Sequence, residues 1–291
     1  MTEIIETEEI MDSRLTLEKR IEAEIKSYDG KMGIYLDDFH GNVIAVRADE
    51  TFETASAIKT LILACLFDEV EKNNASLEDM VEYKAEHAVE GSGVLEALEP
   101  GAMLRVRDAA VFMIIVSDNI ATNMLIDYLG LDTINRCIKG LGCKDTVLYN
   151  PIHFNQYRRL GTSTPRDYAG IFIRLAKGEL ISPEADRQML DIFKKQHYNS
   201  MITKDFPPYF MDSDNTDDVL ISVASKSGSM DGCRNDGGVV FTPYGPYVIV
   251  MFHKDFSDAM YYPGHPAAVF GARVSRMILD QYLALEGKFY K

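Results

Sequence analysis

Ser56 and Lys59 are the residues whose types and spacing most directly offer chemistry. They lie three residues apart in T-A-S-A-I-K-T-L-I-L-A-C-L-F-D-E-V, Thr54 to Val70, and on a helix that spacing puts them on one face. Ile58, Leu61, Ile62, Leu63, Ala64, Cys65, Leu66, Phe67 and Val70 make the segment apolar almost all the way round, the pattern of a helix in the middle of a domain. An amine at the head of such a helix loses hydration, which favours its neutral form. A neutral amine beside a serine hydroxyl can take its proton and activate it as a nucleophile. The helix N-terminus adds partial positive charge where an oxyanion would develop. The same letters also fit a surface serine and a lysine whose stem lies over apolar surface, so the pair needs company.

Two further motifs supply it. Ser117-Asp118-Asn119 ends the apolar run 111–116 and precedes another helical segment, and Lys226-Ser227-Gly228 ends a strand pattern and leads into Ser229-Met230-Asp231-Gly232. A second S-D-N, Ser213-Asp214-Asn215, stands in the acidic stretch M-D-S-D-N-T-D-D without an apolar flank and reads as a solvated loop. The first copy is the candidate.

The elements that must position these motifs follow from periodicity and breakers. Asp12 or Ser13 predicts the cap of a helix to about residue 27 on the stripe Leu15, Leu17, Ile21 and Ile25. Strands are expected over 32–37 and 43–47, joined by a turn containing His40-Gly41-Asn42. After the core helix, 75–101 is mixed and broken by Gly91-Ser92-Gly93 and Pro100-Gly101. Helices are expected over 106–116, 120–129, 132–141, 165–177 and 183–195, with 150–161 a long irregular loop, so that the middle of the chain reads as wholly helical. Strand signals return at 220–225, 238–242 and 247–253, before a last amphipathic helix over 267–285. This order predicts an α/β lobe from 1–52 and 206–291 and an all-α lobe from 53–205, with a site in the cleft between them.

Composition bounds the function. The 291 residues are 46% hydrophobic and 26% charged, as expected of a soluble globular chain, and the formal net charge of −15 argues against nucleic acid and anionic membranes as partners. The four cysteines, Cys65, Cys137, Cys143 and Cys233, show no C-x-x-C spacing, and the six histidines are scattered, so no metal and no cofactor is expected. Free thiols are expected, with a Cys137–Cys143 bridge left open. The start, M-T-E-I-I-E-T-E-E-I-M-D, lacks the basic and apolar regions of a secretory signal, and no apolar run approaches membrane-spanning length. A soluble, cytoplasmic monomer is the expectation, or a secreted one had an export signal been removed.

Taken in order, S-x-x-K, S-D-N and K-S-G are the motif set of class A β-lactamases and penicillin-binding proteins. The chain resembles the serine β-lactamase and penicillin-binding superfamily, its class A-like branch in particular, from about Gly33 to the C-terminal helix. Thr164-Pro165-Arg166-Asp167 opening a helix and K-S-G-S-M-D-G-C-R-N-D-G-G-V-V add to the resemblance. It implies an α/β (α+β) fold with a five-stranded antiparallel sheet, flanked by N- and C-terminal helices, plus an all-α lobe. It further implies that Ser56 is acylated, that Lys59 activates it, that Ser117 relays a proton to the leaving nitrogen and that Asn119 holds the substrate amide. Lys226 and Ser227 would face a substrate carboxylate, Lys226 also disfavouring charge on Lys59. Gly228 and Ser229 would border the substrate, with the N–H groups of Ser56 and Ser229 as the oxyanion hole. Arg234 would help anchor a carboxylate or be a surface arginine.

One departure stands out. Class A β-lactamases carry a glutamate in the loop after S-D-N that orients the deacylating water, whereas 145–161 here reads D-T-V-L-Y-N-P-I-H-F-N-Q-Y-R-R-L-G, with no glutamate. Ile152 and His153 are nearest the family's glutamate. His153, Tyr149 and Tyr157 are candidates to assist a water, although a loop histidine is commonly structural. The expected function is therefore a class A-like serine β-lactamase acting through an acyl-enzyme at Ser56, with slow deacylation, on a small β-lactam or another acyl or peptide substrate. A serine peptidase or esterase with the same machinery, and a penicillin-binding protein that is acylated and stays so, are the alternatives.

Overall fold

Two apolar faces of one antiparallel sheet organise the chain, in a computed structural model that describes residues 16–157, 159–211 and 219–283. In chain order, helix α1 (16–25) leads to strands β1 (Lys31–Asp37), β2 (Val43–Val46) and β3 (Phe52–Glu53), then to helix α2 (Lys59–Glu71). Strands β4 (Met80–Glu82) and β5 (Met103–Arg105) precede helices α3 (Val106–Ile115), α4 (Asn119–Leu129) and α5 (Leu131–Gly140). Strands β6 (Val147–Leu148) and β7 (Gly161–Ser163) are followed by α6 (Pro165–Lys177), α7 (Pro183–Phe193) and the single turn α8 (Pro208–Met211). The chain closes with β8 (Ser222–Ser225), β9 (Gly228–Met230), β10 (Cys233–Thr242), β11 (Gly245–Lys254) and α9 (Pro266–Tyr282).

The main sheet runs β2-β1-β11-β10-β8, with β9 also paired to β10 and every pair antiparallel. Because β8 and β9 lie end to end along β10, six segments make five rows, in keeping with the five-stranded sheet expected. The break between β8 and β9 is Lys226-Ser227, and Lys226 N still donates to Gly237 O at 3.0 Å.

Successive strand side chains point to opposite faces, and both faces are covered. On one, Ile34, Ile249 and Met251 pack with Ile21 of α1 and with Val274 and Ile278 of α9. On the other, Tyr35, Val250 and Phe252 join the apolar residues of α2 to α7. Each such large side chain, fully buried, contributes on the order of 1.5–3 kcal/mol of transfer free energy. Helix α2 is the centre of that second core, with every residue from Lys59 to Phe67 buried.

Helix starts obey local chemistry. Thr164 and Ser182 cap α6 and α7, each followed by proline in the first turn, and Gly178 ends α6 in the left-handed conformation at φ +69°. The structure departs from the sequence reading in the middle of the chain. There β4 pairs with β5, and β3, β7 and β6 form a small three-stranded sheet, so the segment is not wholly helical. Ladders two or three residues long carry no periodicity to read. Strand β10 begins at Cys233 rather than 238 because its first eight residues are all buried, which erases the alternation that marks a half-exposed strand. All four cysteines are free and buried, so Cys137 and Cys143 are not bridged. The last helix ends at Tyr282, with Leu283 as its C-cap; the expected caps Asp12 and Ser13, the second S-D-N and residues 284–285 of the expected last helix lie outside the described residues.

Candidate active site

Ser56 lies on a 3-10 turn, Ala55–Ile58, that runs directly into α2 at Lys59, rather than inside an α-helix. With three residues per turn, i and i+3 eclipse, so the one-face relation of Ser56 and Lys59 survives the change of helix type. Ala55 is held at φ +44°, a left-handed conformation that costs a non-glycine residue on the order of 1–3 kcal/mol and persists only where its surroundings enforce it. The enforcement is visible. Thr54 N donates to Gly161 O at 2.9 Å, and Asn235 Nδ2 donates to Glu53 O at 2.7 Å and Thr54 O at 3.1 Å. Strand β9 presses on the same turn: a Cβ added to Gly228 would stand 2.5 Å from Ala57 N and 2.9 Å from Ser56 N. Glycine is what permits that approach.

Behind the turn, Lys59 is fully buried. Its Nζ lies 2.6 Å from Ser117 O, 2.9 Å from Asn119 Oδ1 and 3.1 Å from Ser117 Oγ. Ser117, itself at φ +54°, has its hydroxyl 3.1 Å from the Nζ of Lys226 as well, and Lys226 Nζ also donates to Ser227 O at 2.7 Å. One hydroxyl thus stands between two buried amines. Desolvation, reinforced by repulsion from Lys226, pushes the Lys59 pKa well below that of an ordinary lysine. Burial lowers Lys226 to about 7, opposed by the buried carboxylate of Asp236, which burial raises to about 6. A neutral Lys59 has two N–H groups for the carbonyl oxygens and a lone pair for the Ser117 hydroxyl. Among the described residues no hydrogen bond joins Ser56 Oγ to Lys59 Nζ, so the resting amine faces Ser117 and Asn119 instead.

These shifts make stability depend on pH. The unfolded chain holds more protons than the folded one between the depressed Lys226 value of about 7 and the ordinary 10.5, so the folded state gains stability as pH rises through that window. Lys59 acts in the same direction. The urea midpoint is expected to be higher at pH 9 than at pH 7, and the gain is expected to shrink in Lys226→Met; a flat profile would mean that neither amine is buried neutral.

The S-D-N motif is fixed by its middle residue, whose role the sequence reading missed. Asp118 Oδ1 caps α4 by accepting from Ala121 N at 2.9 Å, and Oδ2 accepts from Val94 N at 2.7 Å and Leu95 N at 2.8 Å, tying the 90–95 segment to the helix head. Asn119 Nδ2 donates to Glu90 O at 3.2 Å. A cavity of about 420 Å³ opens in front of this assembly, lined by Ser56, Asn119 and Ser229 among polar residues and by Ile152, Phe154 and Tyr198 among apolar ones. Lys59, Ser117 and Lys226 form the hydrogen-bonded cluster behind Asn119, and Ser227 is buried at the β8–β9 break.

Two expected site residues stand apart. His153 lines a separate cavity on the other side of Phe154, its ring against Tyr157, so it does not face Ser56. Ile152 does: it is 3% exposed, lines the Ser56 cavity, and is clamped by Asn123, whose Oδ1 accepts from Ile152 N at 2.8 Å and whose Nδ2 donates to Ile152 O at 3.0 Å. Arg234 is buried beside Tyr261, and its guanidinium donates to four backbone carbonyls, those of Met230, Cys233, Ala259 and Met260. It ties the start of β10 to the 256–265 loop and lines a cavity shared with Ser229, so it is not a surface arginine. Tyr168, also missed, is fully buried with its hydroxyl 2.8 Å from Thr60 Oγ1 and 3.1 Å from Lys226 O, linking the helix of one lysine to the strand end of the other. Asn123 was detectable in principle, four residues after Asn119 on the same helix face; Tyr168 carried no local signal.

Among the described residues no group of three or more His, Cys, Asp or Glu side chains is placed to hold a metal ion, and no helix is long and apolar enough to cross a membrane. The model of the Beta-lactamase enzyme family matches residues 16–282. A β-lactamase from Streptomyces fradiae is 27% identical over 249 residues, 80% of this chain and 76% of that one. The crystal structure of a β-lactamase from Sphaerobacter thermophilus superposes with a TM-score of 0.79 at 28% identity, covering 92% of this chain and 97% of its own. PBP-A, in a leucine-to-glutamate variant solved as an acyl-enzyme complex with penicillin G, superposes with a TM-score of 0.79 at 26% identity, covering 94% and 97%.

Proposed function

The chain belongs to the β-lactamase enzyme family, and from that premise we propose that it is a class A-like serine β-lactamase that forms its acyl-enzyme at Ser56 and releases it slowly. The observation that carries the reading is the Ser117 hydroxyl held 3.1 Å from the Nζ atoms of both Lys59 and Lys226, beside the cavity that Ser56 lines. As substrate enters, Ser56 Oγ attacks the lactam carbonyl carbon and its proton passes to neutral Lys59; resting hydrogen bonds of this kind commonly tighten only in the complex. Negative charge developing on the carbonyl oxygen is met by the N–H groups of Ser56 and Ser229. The C–N bond then breaks, the lactam nitrogen takes the Ser117 hydroxyl proton, and Ser117 recovers a proton from Lys59. Each proton is accounted for without an outside acid.

Deacylation needs a group that activates water, and the position facing Ser56 from the loop holds the hydrocarbon side chain of Ile152. That favours the second reading, a protein that traps penicillins rather than turning them over. A chromogenic cephalosporin separates the two: product beyond one equivalent per protein supports a β-lactamase, and a strict one-equivalent burst supports a trap.

Lys226 is assigned to recognition of a substrate carboxylate. Lys226→Ala is expected to slow acylation by penicillins, which carry that carboxylate, by roughly 10–100-fold more than it slows a neutral ester, the scale of one charge-assisted hydrogen bond. Equal losses would assign the residue to proton handling through Ser117 instead.

A further inference from the structure

We propose that Tyr168 is a positioning residue of the acylation machinery, its hydroxyl fixing the separation of the two amines, Lys59 and Lys226, that share the Ser117 hydroxyl; the inference rests on the acyl-enzyme reading above. Tyr168 is fully buried on α6, and its oxygen makes two contacts. It lies 2.8 Å from Oγ1 of Thr60, the residue that follows Lys59 in α2. It also donates to Lys226 O at 3.1 Å. A phenol has one proton, so with that proton directed at Lys226 O the Thr60 hydroxyl is the donor to Tyr168. One oxygen thus ties the backbone of one lysine to the neighbour of the other.

Lys226 stands at the break between β8 and β9. Its N–H still donates to Gly237 O at 3.0 Å, but among the described residues no backbone N–H donates to its carbonyl. The tyrosine hydroxyl takes the place of that missing ladder partner. The ring is held as firmly as the hydroxyl. It packs against Phe172 and Phe252 at centroid separations of 5.4 and 5.1 Å. Gly237 of β10 lies against it as well, where an added Cβ would stand 2.7 Å from Cε1 of the ring. A rigid ring whose hydroxyl is bonded on both sides holds a distance, and a misplacement of about 1 Å can cost on the order of 100-fold in rate. The charged groups that face Lys59 are Lys226, which disfavours its protonation, and Asp118, which favours it, while Asp236 faces Lys226. Letting Lys226 recede therefore weakens a repulsion and leaves Lys59 protonated to higher pH.

The test is the pH profile of acylation by a fluorescent penicillin, followed by stopped flow, with the urea midpoint of each variant measured alongside. Tyr168→Phe keeps the ring and removes only the hydroxyl. It is expected to acylate roughly 10–100-fold more slowly at neutral pH, with the acid limb of the profile displaced to higher pH. Thr60→Val, which keeps the shape and removes the other hydroxyl, is expected to displace the limb in the same direction, whereas Thr60→Ser is expected to keep it at the wild-type position. In a Lys226→Ala background, Tyr168→Phe is expected to leave the limb where Lys226→Ala alone puts it, because the repelling ammonium is gone. A limb unmoved in both Tyr168→Phe and Thr60→Val, with only the urea midpoint lowered, overturns the positioning role. An equal displacement with and without Lys226 overturns it too. Should Tyr168→Phe fail to fold, Thr60→Val compared with Thr60→Ser decides the same question. Each of these results leaves acylation at Ser56 standing, whereas a wild-type protein that takes up no penicillin on Ser56 overturns the acyl-enzyme reading and the positioning role with it.

Discussion

Ser56→Ala is expected to take up no label from a fluorescent penicillin, with an acylation rate lower by about 10⁵–10⁶-fold, the scale seen when a serine nucleophile that acts as a unit with its base is removed. The result is not guaranteed by the cavity alone, since Ser92 and Ser229 also line it. Only Ser56 stands on a strained turn eclipsing a fully buried lysine whose charge is disfavoured both by burial and by a second lysine. Intact-protein mass spectrometry after incubation with penicillin G reads the outcome directly. Lys59→Met should also lose most of the rate, because Lys59 Nζ is the group proposed to receive the Ser56 proton. An adduct persisting on Ser56→Ala would move the nucleophile to another serine of the cavity wall.

The second large effect is a gain. Wild-type protein mixed with a penicillin is expected to open one equivalent of lactam quickly and then turn over slowly, limited by hydrolysis of the Ser56 ester. Ile152→Glu is expected to raise the slow phase by roughly 10²–10⁴-fold, the usual range for a general base, without changing the burst. Asn123 holds the N–H and C=O of Ile152 through both ends of its amide, so residue 152 keeps its backbone position whatever side chain it carries, and that side chain lines the Ser56 cavity. A carboxyl placed where the isoleucine is 3% exposed would have a raised pKa, which suits a base working near neutral pH. His153→Glu is the control: it faces the other cavity and should leave the slow phase unchanged. A linear wild-type trace with rapid turnover would show that another group already activates water.

Much of this protein was legible in its letters because the physics involved is local. Proline at the first turns of α6 and α7, threonine or serine before it, and glycine after α6 act within a few residues, so those helices are marked by their own sequence. Residues 59–67 announce burial by being apolar on all sides apart from Lys59, Thr60 and Cys65, and a lysine at the head of such a run is desolvated wherever the helix is placed. The order of S-x-x-K, S-D-N and K-S-G therefore carried the fold and the main members of the candidate site.

What the letters could not hold was every distance across the chain. That Ser117 stands between Lys59 and Lys226, 58 and 109 residues away respectively, depends on the packing of α2, α4 and the end of β8. That Arg234 is consumed by the carbonyls of Ala259 and Met260, and that His153 turns away while Ile152 turns in, depend on which backbone groups reach Arg234 and Asn123. Residues 152 and 153 are adjacent in sequence and equally suited to a loop, and a side chain's direction there is set by a hydrogen bond from a helix 29 residues earlier. Chemistry that needs only residue type and near spacing was written in the sequence; the assignment of each group to a face, a partner and a charge state was decided by the tertiary structure, because burial and Coulomb interaction act through space and not along the chain.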